Sequence, residues 1–251
     1  MSYKYFIYCL FFTFIFSCKN KVSLTKIEGS RIEINDSLST DTEIEEFIKP
    51  FKDHVNKNLD SIISYSSDTY SKTNGDLNTA IGNLMADAVL QECNPVFNSR
   101  TGKNIDVVLL NHGGIRSILS KGNVTTRTAY QIMPFENSVV VTELLGKDIK
   151  DLISYLQKAK RAHPISGLKI KVDKDYNLLE ATISNKPIEE ETIYYVATND
   201  YLYSGGDRMT FFKQSLNTHI LNYKIRNVLI DYFKKSDTLN PKIDDRFTKL
   251  N

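Results

Sequence analysis

Two short segments of the chain combine paired glycines with side chains that can bind a polar ligand. In the first, Leu110–Arg116, an apolar run ends in Asn-His-Gly-Gly-Ile-Arg. Paired glycines let backbone N–H groups approach a ligand closely, and arginine is a planar cation suited to phosphate or sugar oxygens. In the second, Asn199–Asp207, the chain runs into Ser-Gly-Gly-Asp. This sequence places a carboxylate at the tip of a loop, where it can accept two adjacent hydroxyl protons.

A third segment, Met133–Asn137, has an aromatic ring directly after a proline and an amide two residues later. Each of the three segments also has a plain structural explanation. Gly-Gly after a strand is commonly only a turn, Phe135 can simply pack the end of a helix, and Asp207 can be a solvated residue of a tight turn. One segment alone therefore does not predict a site.

The elements that would position these segments alternate between strands and helices. The apolar run at 105–110 is typical of a strand buried on both faces, and ligands collect where such strands end. A capping box at Thr42 opens a first helix, in which Pro50 predicts a kink or a break. The other expected elements are helices at 79–92, 147–159 and 216–234 and strands at 61–65, 139–144, 168–172, 178–184 and 193–198.

No linker interrupts this alternation, so we expect a single α/β (α+β) domain over 41–250, with helices packed on a mixed sheet. The 41% apolar content permits a hydrophobic core. The net charge of +2 does not indicate the strongly basic surface that is typical of nucleic-acid-binding proteins. Once Cys9 leaves with an export signal and Cys18 carries a lipid, Cys93 is the one remaining thiol, and no disulfide framework is expected.

The export signal itself is expected at 1–17, where one cation precedes a short apolar run. The run ends in Ile-Phe-Ser-Cys, which is similar to a bacterial lipobox, and Cys18 would then be lipidated. Ordinary cleavage near residue 17 is the alternative. The polar stretch 18–40 would be a tether, so the sequence predicts a periplasmic or outer-membrane lipoprotein of the bacterial cell envelope.

Taken together, in this order and spacing, the three segments resemble the C-terminal domain of 5'-nucleotidases. The resemblance rests on Asn-x-Gly-Gly-Ile-Arg, Pro-Phe-x-Asn and Asn-x-Tyr-x-x-x-Gly-Gly-Asp. It also includes 81–88, 145–149 and 165–168, and it extends over about 41–250. The resemblance implies a domain that binds a nucleoside or nucleotide.

Position by position, the resemblance implies the roles of nine residues. In the family two aromatic rings hold the nucleotide base, and the matching rings here are Phe135 and Tyr201. Such stacking contributes about 1–3 kcal/mol per base and tolerates many bases. The other implied substrate-binding residues are Asn111 and Asn137 near the base, Gly113, Gly114 and Gly167 as the pocket floor, Asp207 for the ribose hydroxyls, and Arg116 on the sugar-phosphate side.

Two departures from the family pattern concern charge. Residues 73–78 contain no arginine, although the family carries one just before the matching helix. His112 and Glu136 also stand where the pattern has glycines, and Glu136 adds a negative charge that would repel an anionic ligand. The sequence therefore favours a nucleoside, or a nucleotide whose phosphate is held by a partner.

The resemblance places hydrolysis outside this chain. In the full-length enzymes a separate N-terminal domain holds two divalent metal ions. The chain has four histidines, none in metal-ligand spacing, and Cys93 is better explained as a core residue. We therefore expect no catalytic residue, metal site or cofactor here, and two divalent metals in a separate metallophosphatase chain. The alternatives are a nucleoside-binding lipoprotein for uptake and a degenerate scaffold domain.

Overall fold

The computed structural model describes residues 23–250, and the chain divides into two units after Ile48. In the first unit, residues 23–40 are exposed and form no helix or strand. The first helix is capped by Asp41, whose Oδ1 accepts from the backbone N–H groups of Glu43 and Ile44 at 3.0 and 3.2 Å. The expected capping box at Thr42 is therefore wrong by one residue. The expected signal segment and Cys18 lie outside the described residues.

Six α-helices and twelve strands lie within residues 23–250. The helices are α1 Thr42–Leu59, α2 Ala80–Thr101, α3 Thr126–Ile132, α4 Gly146–Ala159, α5 Asp200–Tyr203 and α6 Ile225–Lys234. The strands are β1 Ile62–Ser66, β2 Val107–Leu109, β3 Gly122–Thr125, β4 Ser138–Leu145, β5 Ile165–Ser166, β6 Leu168–Val172, β7 Leu178–Ile183, β8 Lys186–Pro187, β9 Ile193–Asn199, β10 Asn217–Lys224, β11 Thr238–Leu239 and β12 Phe247–Lys249.

The central sheet has five strands in the order β10-β4-β9-β2-β5, and both of its faces are buried. Successive residues of β2 enter different cores because side chains alternate along a strand. Val108 packs with α2 and α6, while Val107 and Leu109 pack with α4. Two smaller sheets, β11-β1-β3 and β12-β6-β7-β8, complete the second unit. The expected mixed α/β class is confirmed.

Polar residues of α2 hold the C-terminal segment in place. Asn83 donates to the carbonyl of Lys242 at 2.9 Å. Asp87 accepts from both terminal nitrogens of Arg246, at 2.9 and 3.0 Å. The next residue, Phe247, begins β12, which pairs in parallel with β6. These residues of α2 therefore anchor the C-terminal segment to the domain.

The largest difference from the expected elements lies at 216–234. Its first half is the strand β10, paired antiparallel with β4, and only the second half is the helix α6. Leu221 of the strand and Val228 and Leu229 of the helix are buried in the same core. A strand that leads into a helix thus produced the apolar spacing that was interpreted as one helix.

Two helices also differ from the expectation. α1 continues through Pro50 without a break, and none of its residues is buried, so water can satisfy the carbonyl that the proline leaves without a donor. α2 extends past residue 92 to Thr101 and ends where Gly102 adopts a left-handed conformation with φ of 71°. Its N-terminus is capped by the Thr79 side chain, which accepts from Gly82 N at 3.2 Å.

Candidate functional site

The three ligand-binding segments meet at one end of the central sheet. β2 and β9 are parallel neighbours that end there, and β4, antiparallel to β9, begins there. The segment Leu110–Arg116 follows β2, the segment Met133–Asn137 precedes β4, and the segment Asn199–Asp207 follows β9. The topology thus joins Asn111 to Asp207, although 96 positions separate them in the chain.

These segments surround an open cavity of about 430 Å³, which we call the aromatic cavity. Eight of the nine predicted substrate-binding residues line it. Met133, which is buried and was not predicted, is a further lining residue. The lining residues are Asn111, Gly113, Gly114, Arg116, Met133, Phe135, Asn137, Tyr201 and Asp207.

Gly167 is not among the residues that line this cavity. It has φ of 77° between β5 and β6, and a Cβ there would lie 2.0 Å from the carbonyl oxygen of Asp106. The backbone of a neighbouring strand therefore requires glycine at this position. Packing against the segment that leads into β2 thus explains the glycine, and the expected role of Gly167 in the pocket floor stays a prediction.

The two aromatic rings of the cavity remain open to a ligand. Phe135 is 42% exposed and Tyr201 is 46% exposed, although both line a concave surface. The ring of Tyr201 lies against Gly206, where a Cβ would come within 2.5 Å of the ring carbons. The guanidinium of Arg116 lies 5.9 Å from the centre of the Phe135 ring. Glycine at 206 thus lets Tyr201 reach the cavity.

Asp207 is held in a fixed orientation by two donors. Asn111 Nδ2 donates to its Oδ2 at 2.7 Å, and the Tyr201 hydroxyl donates to its Oδ1 at 3.0 Å. A carboxylate offers about four acceptor positions, so two remain for a ligand. Its backbone is left-handed, with φ of 49°. Such a conformation is uncommon for a residue with a side chain and turns the carboxylate toward the cavity.

Asn111 also depends on the glycines that follow it. Its side chain is buried and lies across the Gly-Gly turn. A Cβ on Gly114 would lie 3.0 Å from Asn111 Oδ1, and a Cβ on Gly113 would lie 3.3 Å from Asn111 Nδ2. The paired glycines therefore make room for the amide that orients Asp207.

Asp200 connects the second and third segments, and the sequence analysis did not identify it. Its Oδ1 accepts from Asn137 Nδ2 at 2.8 Å, and its Oδ2 accepts from the backbone N–H of Ser138 at 3.1 Å. Asp200 precedes Tyr201, so these bonds fix one aromatic residue relative to the segment that carries the other. The position of Asp200 inside the segment Asn199–Asp207 is the sequence signal for this role.

The charge of Glu136 is neutralised within the chain. Lys224 and Arg226 both form ion pairs with its carboxylate. Hydrogen bonds from Lys224 and Arg226 lower the pKa of Glu136 to about 2. Arg226 is itself buried and lies 4.0 Å over the Tyr130 ring. The expected repulsion of an anionic ligand by Glu136 is therefore largely offset by two cations that the local motif did not indicate.

His112 and His163 support the turn behind the cavity. The ring Nδ1 of His112 donates to the carbonyl of Ala162 at 3.0 Å. His163 is 6% exposed, and its Nδ1 accepts from the backbone N–H of His112 at 3.4 Å. Burial lowers the pKa of His163 to about 4, so this ring is neutral at physiological pH. Both histidines therefore have structural hydrogen bonds.

Residues 23–250 contain no cluster of three or more histidine, cysteine, aspartate or glutamate side chains that could hold a metal ion. Over the same range, no helix combines the length and apolar character needed to cross a membrane. Cys93 is buried, and burial raises its thiol pKa to about 12.

Comparison with known proteins gives a consistent result. The model of the 5'-nucleotidase C-terminal domain matches residues 55–214. The chain is 24% identical over 253 residues to the trifunctional nucleotide phosphoesterase protein YfkN of Bacillus subtilis, covering 94% of this chain and 17% of that protein. It is 29% identical over 169 residues to the cell wall protein Lmo0130 of Listeria monocytogenes, covering 61% of this chain and 21% of that protein.

Among solved structures, the fold is similar to that of a 5'-nucleotidase precursor from Thermus thermophilus. The TM-score is 0.69 at 23% identity, and the match covers 82% of this chain and 43% of the other. This chain therefore spans less than half the length of each of these three proteins.

Proposed function

Because the chain belongs to the family of 5'-nucleotidase C-terminal domains, we propose that it is the substrate-binding subunit of a 5'-nucleotidase-type phosphohydrolase that takes part in nucleotide catabolism. Its ligand would be a nucleoside or the nucleoside part of a nucleotide. One observation carries the proposal: eight predicted residues, including two half-exposed rings and one oriented carboxylate, surround the same cavity.

The base of the ligand would stack on Phe135 and Tyr201. Both rings have exposed area inside the cavity, and stacking on an aromatic face suits any base because every base has a π-face. The ribose hydroxyls would donate to Asp207. Asn111 and Tyr201 already hold that carboxylate in position, so little ordering would accompany binding.

The aromatic cavity offers few cations to a phosphate on the ligand. Arg116 is the single cationic residue among those that line the aromatic cavity. Glu136 is neutralised by two cations and would repel a phosphate only weakly. We infer that a nucleoside and its monophosphate both bind, and that further phosphate contacts come from a partner.

Hydrolysis would be supplied by a separate metallophosphatase chain with two divalent metal ions. Two metals can polarise a phosphate and supply a hydroxide, while this chain holds the nucleoside. We propose further that Cys18 carries a lipid and that 18–40 tethers the domain to the cell envelope. The similarity to a cell wall protein supports a location outside the cytoplasm.

The ribose contact is tested by removing both hydroxyls from the ligand. We expect the protein to bind adenosine about tenfold or more tightly than 2',3'-dideoxyadenosine, because hydrogen bonds to a charged acceptor contribute about 1.5–3 kcal/mol. Asp207→Asn should lose most of this discrimination in isothermal titration. Asp175→Asn, an exposed carboxylate in another part of the domain, should retain it. Equal discrimination in parent and Asp207→Asn would contradict the assigned role.

A phosphatase assay on the same protein tests whether this chain only binds the substrate and leaves hydrolysis to a separate chain. We expect adenosine and AMP to bind without release of phosphate from AMP, with or without added Mn²⁺, Zn²⁺ or Mg²⁺. Turnover should begin only when a metallophosphatase chain is added. Metal-dependent turnover by the purified chain alone would contradict the proposal of a non-catalytic subunit. Binding that never couples to any phosphatase would favour the uptake alternative.

A further inference from the structure

A second cavity of about 360 Å³, which we call the arginine cavity, adjoins the aromatic cavity. Both are lined by Gly113 and Asp207, so the two spaces share one boundary. The second cavity lies beside Tyr155, Arg161 and Arg208, none of which lines the first. A ligand held at Asp207 can therefore extend from one cavity into the other.

The arginine cavity carries uncompensated positive charge. Arg161 and Arg208 are both exposed, and neither forms an ion pair with any residue among 23–250. Asp207 is the one carboxylate that lines this cavity. Its two oxygens already accept bonds from Asn111 and Tyr201. Two guanidinium groups thus face a cavity that contains one carboxylate.

The other polar groups of this cavity have partners inside the protein. The Tyr155 hydroxyl donates to the backbone carbonyl of Asp207 at 3.0 Å. His112 and His163 are bonded to backbone groups, as described above. The two arginines are therefore the groups left for a ligand. Arg208 also has φ of 62°, which is uncommon for a residue with a side chain.

We propose that the arginine cavity binds a phosphate group carried on the 2' or 3' oxygen of the ligand's sugar. The inference rests on the proposed function, in which Asp207 accepts the ribose hydroxyls. A phosphate on either hydroxyl would start at the boundary between the two cavities and extend toward Arg161 and Arg208. The planar guanidinium fork matches the oxygens of a phosphate, and the two charges offset the repulsion from Asp207.

A phosphate on the 5' oxygen would not use these arginines. Arg116 lines the aromatic cavity and not the arginine cavity, and it is the residue available to the opposite side of the sugar. The two cavities therefore predict that the position of the phosphate on the sugar decides which arginines it contacts. This prediction separates a specific site from a general attraction of anions to a positive surface.

Isothermal titration with adenosine and its 2'-, 3'- and 5'-monophosphates tests the proposal. We expect the protein to bind the 2'- or the 3'-monophosphate about tenfold or more tightly than adenosine, as one or two charge-assisted hydrogen bonds would give. The double variant Arg161→Gln and Arg208→Gln should lose this gain and retain its affinity for adenosine and for the 5'-monophosphate. The matched control, Lys147→Gln with Lys158→Gln, removes two exposed cations from α4 outside both cavities and should change none of these affinities.

Three results would overturn the inference. A parent that binds adenosine but gains nothing from a 2' or 3' phosphate contradicts the phosphate site alone. A gain that survives in the double variant, or that is lost equally in the lysine control, shows that these two arginines do not form the site. A parent that binds no adenosine contradicts the proposed function, and this inference fails with it.

Discussion

Replacing Phe135 with alanine is expected to weaken adenosine binding by roughly 5- to 150-fold, which corresponds to about 1–3 kcal/mol of base stacking. Phe135 is 42% exposed in the aromatic cavity, so its removal should affect the ligand more than the core. Tyr201→Ala should have at least as large an effect, because Tyr201 also donates to Asp207 at 3.0 Å. Titration calorimetry with adenosine measures both changes.

Two further variants separate stacking from other effects of these substitutions. Tyr201→Phe keeps the ring and removes only the hydroxyl that donates to Asp207, so it should retain most of the affinity. Tyr65→Ala removes an aromatic side chain of similar exposure, 43%, from β1, away from the cavity, and should leave adenosine binding unchanged. Parental affinity in both Phe135→Ala and Tyr201→Ala would exclude the two rings as the base-binding residues.

Acidification from about pH 6.5 to pH 4 is expected to remove stability through His163. Burial lowers the pKa of this residue to about 4, whereas an unfolded histidine titrates near 6.5. Between these values the unfolded chain binds the extra proton, so the free energy of unfolding falls as the pH falls. The full difference is about 3 kcal/mol, most of which is lost by pH 4 and the remainder below it.

Denaturant unfolding at several pH values checks this expectation. A proton on His163 Nδ1 would displace the bond from the His112 backbone N–H, which gives the low pKa a geometric cause. His163→Gln cannot titrate, so its stability should fall less steeply over the same pH range, whatever its stability at pH 7. His54→Gln, at an exposed position of α1, should keep the parental slope. Parental slope in His163→Gln would assign the pH dependence to other groups.

Much of the candidate site was predictable because its parts are local in sequence. Asn111, Phe135 and Asp207 stand in short motifs at strand ends, and a sheet with neighbouring strands brings such ends together. The residues that neutralise Glu136 were not predictable in this way. Lys224 and Arg226 lie about 90 positions away, and their approach depends on how β10 pairs with β4.

The errors in the expected fold have a similar origin. Leu221 satisfies the apolar spacing of a helix but lies in a strand, because pairing with β4 decides the conformation of that segment. The resemblance places Gly167 in a ligand pocket, whereas the carbonyl of Asp106, just before β2, already requires glycine at this position. In both cases a contact with a distant segment outweighs a local pattern.

The contacts between residues 242–249 and α2 determine when the domain can finish folding during synthesis. Asn83 and Asp87 bind partners that are 159 positions later, and β12 pairs with a strand formed long before it. A chain still attached to the ribosome can form α2 and the central sheet, but it leaves these polar groups without partners until the last strand emerges. The domain is therefore completed only after residues 242–249 have left the ribosome, and until then the nascent chain remains open to chaperones or to an export machinery.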